Sequence, residues 1–199
     1  MKRHSLLLLG FIILACGLAA LAIGKRRGMS EGQVIVTGKA LIGGPFNLTD
    51  HTGKRVTEKD FAGKFTLVFF GYTSCPDICP AELQVISAAL DQLGERAKNV
   101  TPLFITVDPE RDTVKKMAGY VGNFHERLVG LTGSAEDIRA VVKTYRIYSD
   151  KVDDGHSSSD YLFDHSSVVY LMSPSGEYLA HFAYGTGVDK MAKGIAKFL

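Results

Sequence analysis

The sequence predicts an α/β chain with a mixed central sheet and helices on both faces, preceded by one N-terminal transmembrane helix. Three observations predict it. Short β-branched and aromatic runs alternate with segments of helical period from Phe65 to Tyr145, the pattern of parallel strands joined by helices. A tight turn, Ser173-Pro174-Ser175-Gly176, separates two late strand-like runs and adds an antiparallel pair. Leu6 to Ile23 holds no charged residue and is flanked by Lys2 and Arg3 before it and Lys25, Arg26 and Arg27 after it.

That first segment, about 18 residues, is just long enough to span a bilayer. Two other readings compete. Ala20-Leu21-Ala22 has the small-x-small form of a cleavage site, and Cys16 is a candidate for lipid attachment. The apolar run continues past Cys16 and a basic cluster follows it directly, so the uncleaved anchor is preferred. Residues 1–28 are therefore read as anchor and flanks, 29–42 as linker and 43–199 as one folded domain. The basic residues on either side lean slightly towards a cytoplasmic domain.

Within the domain, Phe46 to Leu48 reads as a short strand and Asp50 to Lys54 as a turn before Val56. Phe65 to Phe70 is a buried strand, and Gly71 to Pro80 a loop. Leu83, Ile86, Leu90 and Leu93 mark the first helix, with Pro80 suited to its first position. Leu103 to Val107 is the second buried strand. Val114, Met117 and Val121 mark a helix capped by Asp112 or Thr113. Leu128 to Leu131 reads as a short strand. Ser134 opens a third helix, with Asp137 as its capping partner. Asp150 to Asp160 reads as an exposed loop or hairpin tip. Ser167 to Met172 and Tyr178 to Phe182 form a hairpin, and Val188 to Leu199 a last amphipathic helix. Ligand chemistry in such sheets gathers at the carboxyl ends of the strands, where the loop after Phe70 and Asp108-Pro109 both lie.

The 199 residues carry a formal net charge of +2 and no Lys/Arg block interleaved with aromatics in the domain, so composition gives no case for nucleic-acid binding. Of three cysteines, Cys16 lies in the anchor. Cys75 and Cys79 are the only pair in the domain, too few for a disulfide scaffold and suited to redox or metal chemistry. Cys79, at or just before the helix start, is expected to feel the positive end of the helix, which favours thiolate. Two thiolates suit Cu(I), zinc or an iron–sulfur cluster. Zinc and cluster sites usually take four Cys/His ligands, and the domain has no cysteine beyond this pair, whereas copper accepts two sulfurs and one imidazole. The plainer reading of the pair is a stabilising disulfide or two buried thiols.

The six histidines are His4, His51, His125, His156, His165 and His181. His165 stands out in Asp164-His165-Ser166-Ser167, just before a strand, where Asp164 is a candidate to orient the imidazole. Spacing alone leaves it one candidate ligand, and the others receive no role.

Taken together, Gly71-Tyr-Thr-Ser-Cys-Pro-Asp-Ile-Cys-Pro80, Val107-Asp-Pro-Glu-Arg-Asp112 and Asp164-His-Ser166 resemble the SCO/SenC proteins, which assist cytochrome c oxidase assembly. The resemblance covers the domain from Gly43 to the last helix. It implies a thioredoxin-like fold and one copper per monomer, as Cu(I) or Cu(II), bound by Cys75, Cys79 and His165. Asp77 and Asp164 are candidates for tuning that site. It implies a membrane-anchored copper chaperone that delivers copper to oxidase subunit II and meets other copper-handling proteins. It also implies an N-terminal anchor in the bacterial inner membrane with the domain facing the periplasm, against the count of basic residues; the mitochondrial inner membrane is the second choice, since no transit peptide precedes the anchor.

A second function is a thiol–disulfide oxidoreductase in which Cys75 and Cys79 form the redox pair and keep partner cysteines reduced. The three residues between the cysteines, against two in typical thioredoxin-like enzymes, and His165-Ser166-Ser167 where those enzymes are expected to carry Pro, favour metal binding. Asp108 to Asp112 takes a structural reading, with Asp112 capping a helix. A peroxidase reading needs an activating Arg, which the cysteine loop lacks.

Overall fold

The computed structural model describes residues 41–153 and 161–199. The predicted anchor, most of the linker, Cys16, His4 and His156 lie outside the described residues. Among the described residues no helix is long and apolar enough to cross a membrane.

The strands are β1 (Asn47–Asp50), β2 (Arg55–Thr57), β3 (Phe65–Gly71), β4 (Val100–Thr106), β5 (Val129–Thr132), β6 (Ser149–Asp153), β7 (Tyr161–His165), β8 (Val168–Met172) and β9 (Tyr178–Ala183). The α-helices are α1 (Ile78–Leu93), α2 (Val114–Val121), α3 (Ala135–Thr144) and α4 (Val188–Ala196). Seven strands form one sheet in the order β2-β1-β5-β4-β3-β8-β9, and β6 and β7 pair as a separate hairpin. β3–β4 and β4–β5 are parallel, while β8 runs antiparallel to both β3 and β9. This is the mixed sheet the alternating pattern predicts.

β3 lies inside the sheet, between β4 and β8, because both its faces are apolar: Leu67, Val68, Phe69 and Phe70 have no exposed surface. Each such Phe stabilises the fold by roughly 2–3 kcal/mol on burial. Alternation along the strand sends Phe69 to one face, against Phe104 and the α2 face that carries Tyr120. Phe70 goes to the other, against Tyr145 at the end of α3. Helices therefore cover both faces, and α1 packs beside α4. Ser134 caps α3 with the reciprocal bond from Asp137, as predicted.

Three expectations change. α1 begins at Ile78 rather than at Pro80, because the first-turn N–H groups have no intrahelical acceptor and Pro80 forfeits nothing there. Thr113 alone caps α2, through its bond with the Lys116 N–H; Asp112 turns inward instead and is fully buried. The stretch read as an exposed loop or hairpin tip, Asp150 to Asp160, begins within β6, which pairs with β7 as a hairpin, so its first residues are strand and His165 ends the partner strand.

Candidate metal centre

The loop after β3 carries Cys75, and the first turn of α1 carries Cys79. Cys79 is buried and Cys75 half-buried, and both are free thiols. Because α1 starts two residues before Pro80, the exposed N–H groups of its first turn meet the Cys75 sulfur. The Cys79 N–H donates to Cys75 Sγ at 3.4 Å, and the Asp77 backbone N–H donates to it as well.

The two thiols perturb one another in opposite directions. The Cys79 S–H bonds to Cys75, which pushes Cys75 down to about 3, helped by His165 and by the two backbone donors against the opposing effect of burial. Cys79 is pushed strongly upward by the same bond and by burial. The thiol held low is therefore Cys75, whereas the Cys-Pro step pointed to Cys79. The physical reason is placement: Cys75 faces the N–H groups of the helix end, whereas Cys79, inside the first turn, is buried against the sheet.

β7 brings His165 to the pair. Alternation puts Tyr161, Phe163 and His165 on the inner face of the hairpin, with Leu162 and Asp164 exposed. His165 Nε2 lies 3.6 Å from Cys79 Sγ, and its ring packs near Phe69 and edge-on to Tyr72. His165 Nδ1 lies 3.3 Å from the Ser166 carbonyl oxygen. With Nδ1 donating to that carbonyl, the ring is oriented and Nε2 is turned towards the sulfurs. Asp164 stands on the other face of β7, so this orienting part falls to Ser166. The Asp77 side chain is exposed, and its contribution is the backbone N–H.

Two sulfurs and an imidazole nitrogen are a donor set that suits copper. Among the described residues no three His, Cys, Asp or Glu side chains stand ready as a coordination sphere; the donors of Cys75, Cys79 and His165 are bonded to one another instead. His51 and His125 accept backbone N–H bonds at Nδ1, and His181 bonds Tyr178, so each has a local partner away from the cysteines.

Other residues build the site without any signal that sequence reasoning had used. Asp112 accepts the Thr73 N–H at 3.0 Å, the Thr73 hydroxyl, and the Thr106 hydroxyl at 2.6 Å, which ties the cysteine loop to β4. Thr73 is thus a structural anchor. Gly71 leaves room for the Cys79 thiol, since a Cβ there would lie 2.7 Å from its sulfur. Arg111 reaches the ring of Tyr72, with its guanidinium carbon 5.7 Å from the centroid, but its ion pair is with Asp108. The spacing of Asp108 and Asp112 was the available signal for these roles.

The SCO1/SenC family model matches residues 36–199. The chain is 50% identical over 161 residues to Protein SCO1 homolog 1, mitochondrial, of Arabidopsis thaliana, a match covering 80% of this chain and 48% of that protein. The chain spans about half the length of the first curated relatives it matches. Two solved structures are similar throughout the domain. One is Arabidopsis thaliana ScoI with copper bound, with a TM-score of 0.74, 49% identity, and coverage of 78% of this chain and 96% of that one. The other is Bradyrhizobium japonicum ScoI with copper bound, with a TM-score of 0.74, 43% identity, and coverage of 79% and 99%.

Proposed function

The chain belongs to the SCO1/SenC family and has its thioredoxin-like fold, and from that premise we propose that it is a copper chaperone binding one copper ion through Cys75, Cys79 and His165. The observation that carries the reading is the contact of His165 Nε2 with Cys79 Sγ at 3.6 Å, beside Cys75, whose sulfur accepts the Cys79 N–H. It brings donors from residues 86 apart in sequence to one point. Copper-bound structures of two relatives support the same reading.

Copper is cargo here. Thiolates take Cu(I), and the imidazole extends the set to Cu(II). Loading displaces whatever thiol proton the pair holds and releases it to solvent. Ligand exchange with a partner's thiolates then unloads the ion. The proposed recipient is the copper centre of cytochrome c oxidase subunit II. Ile78, between the cysteines, and Tyr148 and Leu162 of the hairpin region are exposed apolar side chains that suit such a docking partner. The proposed setting is a bacterial inner membrane, with residues 1–28 as anchor and the domain in the periplasm.

The test is a copper titration of the reduced full chain, purified in detergent. One copper per chain is expected, lost in Cys75→Ala and Cys79→Ala. Thiolate-to-Cu(II) charge-transfer absorption is expected to be lost in His165→Ala. A reduced chain that binds no copper, or a Cys75→Ala chain that binds it normally, refutes the proposal.

The thiol–disulfide oxidoreductase reading has one observation in its favour. A half-buried thiolate beside a buried protonated thiol is the asymmetry of an attacking and a resolving cysteine. Insulin reduction that disappears in Cys79→Ser would support it, and absence of turnover would remove it.

A further inference from the structure

β6 and β7 share no ladder with the main sheet, so side chains must set where His165 stands. Tyr161, at the start of β7, carries much of that load. Its hydroxyl donates to Asp108 Oδ1 at 2.8 Å, and its carbonyl accepts from Arg111 Nη1 at 2.9 Å. The Arg111 guanidinium carbon lies 3.7 Å from the centroid of the Tyr161 ring, and Lys151 Nζ lies 3.5 Å from it. Arg111 is itself ion-paired to the buried Asp108. Its Nη2 is buried with no hydrogen-bond partner among the described residues, and the guanidinium also reaches the ring of Tyr72 in the cysteine loop. Tyr72 in turn packs against Phe163 of β7. One short segment thus reaches both halves of the site, because Asp112, four residues after Asp108, holds the cysteine loop through Thr73.

We infer that Asp108 to Asp112 is a two-armed bracket in which Asp112 holds the cysteines and the Asp108–Arg111–Tyr161 cluster holds the hairpin of His165, making Arg111 and Tyr161 positioning residues for the third copper donor. The inference rests on the proposed copper site and deepens it. The two arms serve different ligands, so they separate by oxidation state. Cu(I) is held chiefly by the two thiolates, whereas Cu(II) depends more on the imidazole. Loosening the hairpin arm alone moves His165 and leaves the sulfurs in place.

The experiment compares Arg111→Met, which keeps an apolar stem, and Tyr161→Phe, which removes only the hydroxyl and with it the bonds to Asp108 and, at 3.3 Å, to Glu110. Both are made in the reduced full chain in detergent, with circular dichroism as the check on folding. Cu(I) affinity is read by competition with bicinchoninate, and Cu(II) binding by charge-transfer absorption and electron paramagnetic resonance. Arg111→Met is expected to weaken Cu(II) on the order of tenfold or more and to alter its spectrum, with Cu(I) affinity within about threefold of wild type. Tyr161→Phe is expected to shift in the same direction by less, and it carries the test alone if Arg111→Met does not fold. Unchanged Cu(II) binding in folded variants, or an equal fall for Cu(I) and Cu(II), overturns the bracket. A wild-type chain that binds no copper overturns the proposed function instead, a result distinct from either.

Discussion

Replacing Gly71 with Ala tests how tightly the sheet fits the thiol. Gly71 ends β3 directly beneath the first turn of α1. A Cβ built there lies 2.7 Å from Cys79 Sγ and 2.8 Å from Phe104 Cε2. Non-bonded heavy atoms rest at about 3.5–4.0 Å, so each contact is short by about 1 Å. Neither neighbour has room to withdraw, since Cys79 and Phe104 are both fully buried. Overpacking of this kind costs about 1–3 kcal/mol. The site suffers separately, because a sulfur displaced by about 1 Å exceeds the roughly 0.5 Å tolerance of a metal-binding constellation. Urea denaturation of the metal-free chain reads the first effect, and a chelator-competition titration the second. Gly130→Ala is the control. Its Cβ would meet Val121 Cγ1 at 2.8 Å and Met117 Cε at 3.0 Å, a comparable crowding among side chains that take no part in the copper site. Gly130→Ala is expected to lose stability and keep its copper affinity; Gly71→Ala is expected to lose both. Wild-type copper affinity in Gly71→Ala refutes the argument that the missing side chain makes space for the Cys79 sulfur.

Two further outcomes follow from buried acids. Glu82 lies in α1 with its Oε1 buried and without a hydrogen-bond partner among the described residues, and burial pushes its carboxyl up from 4.5 to about 7. The folded chain then holds a proton that the unfolded chain has released, so stability falls as pH rises from about 4.5 to 7, by on the order of 2–3 kcal/mol. Glu82→Gln is expected to flatten the urea midpoint across that window and to exceed wild type at about pH 8; parallel profiles would reject this assignment. Asp112→Ala strips three bonds from Thr73 and Thr106 and is expected to cost about 2–4 kcal/mol and to weaken copper binding by freeing the loop. Asp112→Asn, whose amide group is able to keep most of those partners, is expected to lose less on both counts, and an equal loss in the two variants would argue against the hydrogen-bond account.

Much of the fold was legible because its signals are local. Phe65 to Phe70 reads as a strand from its own residues, and Ser134 with Asp137 announces a helix start within four positions. Of the β6–β7 hairpin, the polar stretch from Asp150 was legible as a loop or hairpin tip, but β6 itself was not, since Ser149 to Asp153 is too polar to read as a strand. Its stability comes from Tyr161 docking on Asp108 and Arg111, contacts 53 and 50 residues away. The start of α1 was misplaced for a similar reason. The Cys79-Pro80 step suggests a boundary, but the first turn is held open to Cys75 by backbone donors that a sequence pattern does not display.

The sequence by itself determined the donor types, two thiols at a helix start and a histidine before a strand, because residue identity and local periodicity suffice for both. Only the tertiary structure decided that His165 meets Cys79, that the Cys75 sulfur faces the backbone N–H of Cys79, and that Asp112 faces inward to hold the loop. Those outcomes depend on chain closure over long separations and on which groups burial leaves beside one another. No local pattern encodes that.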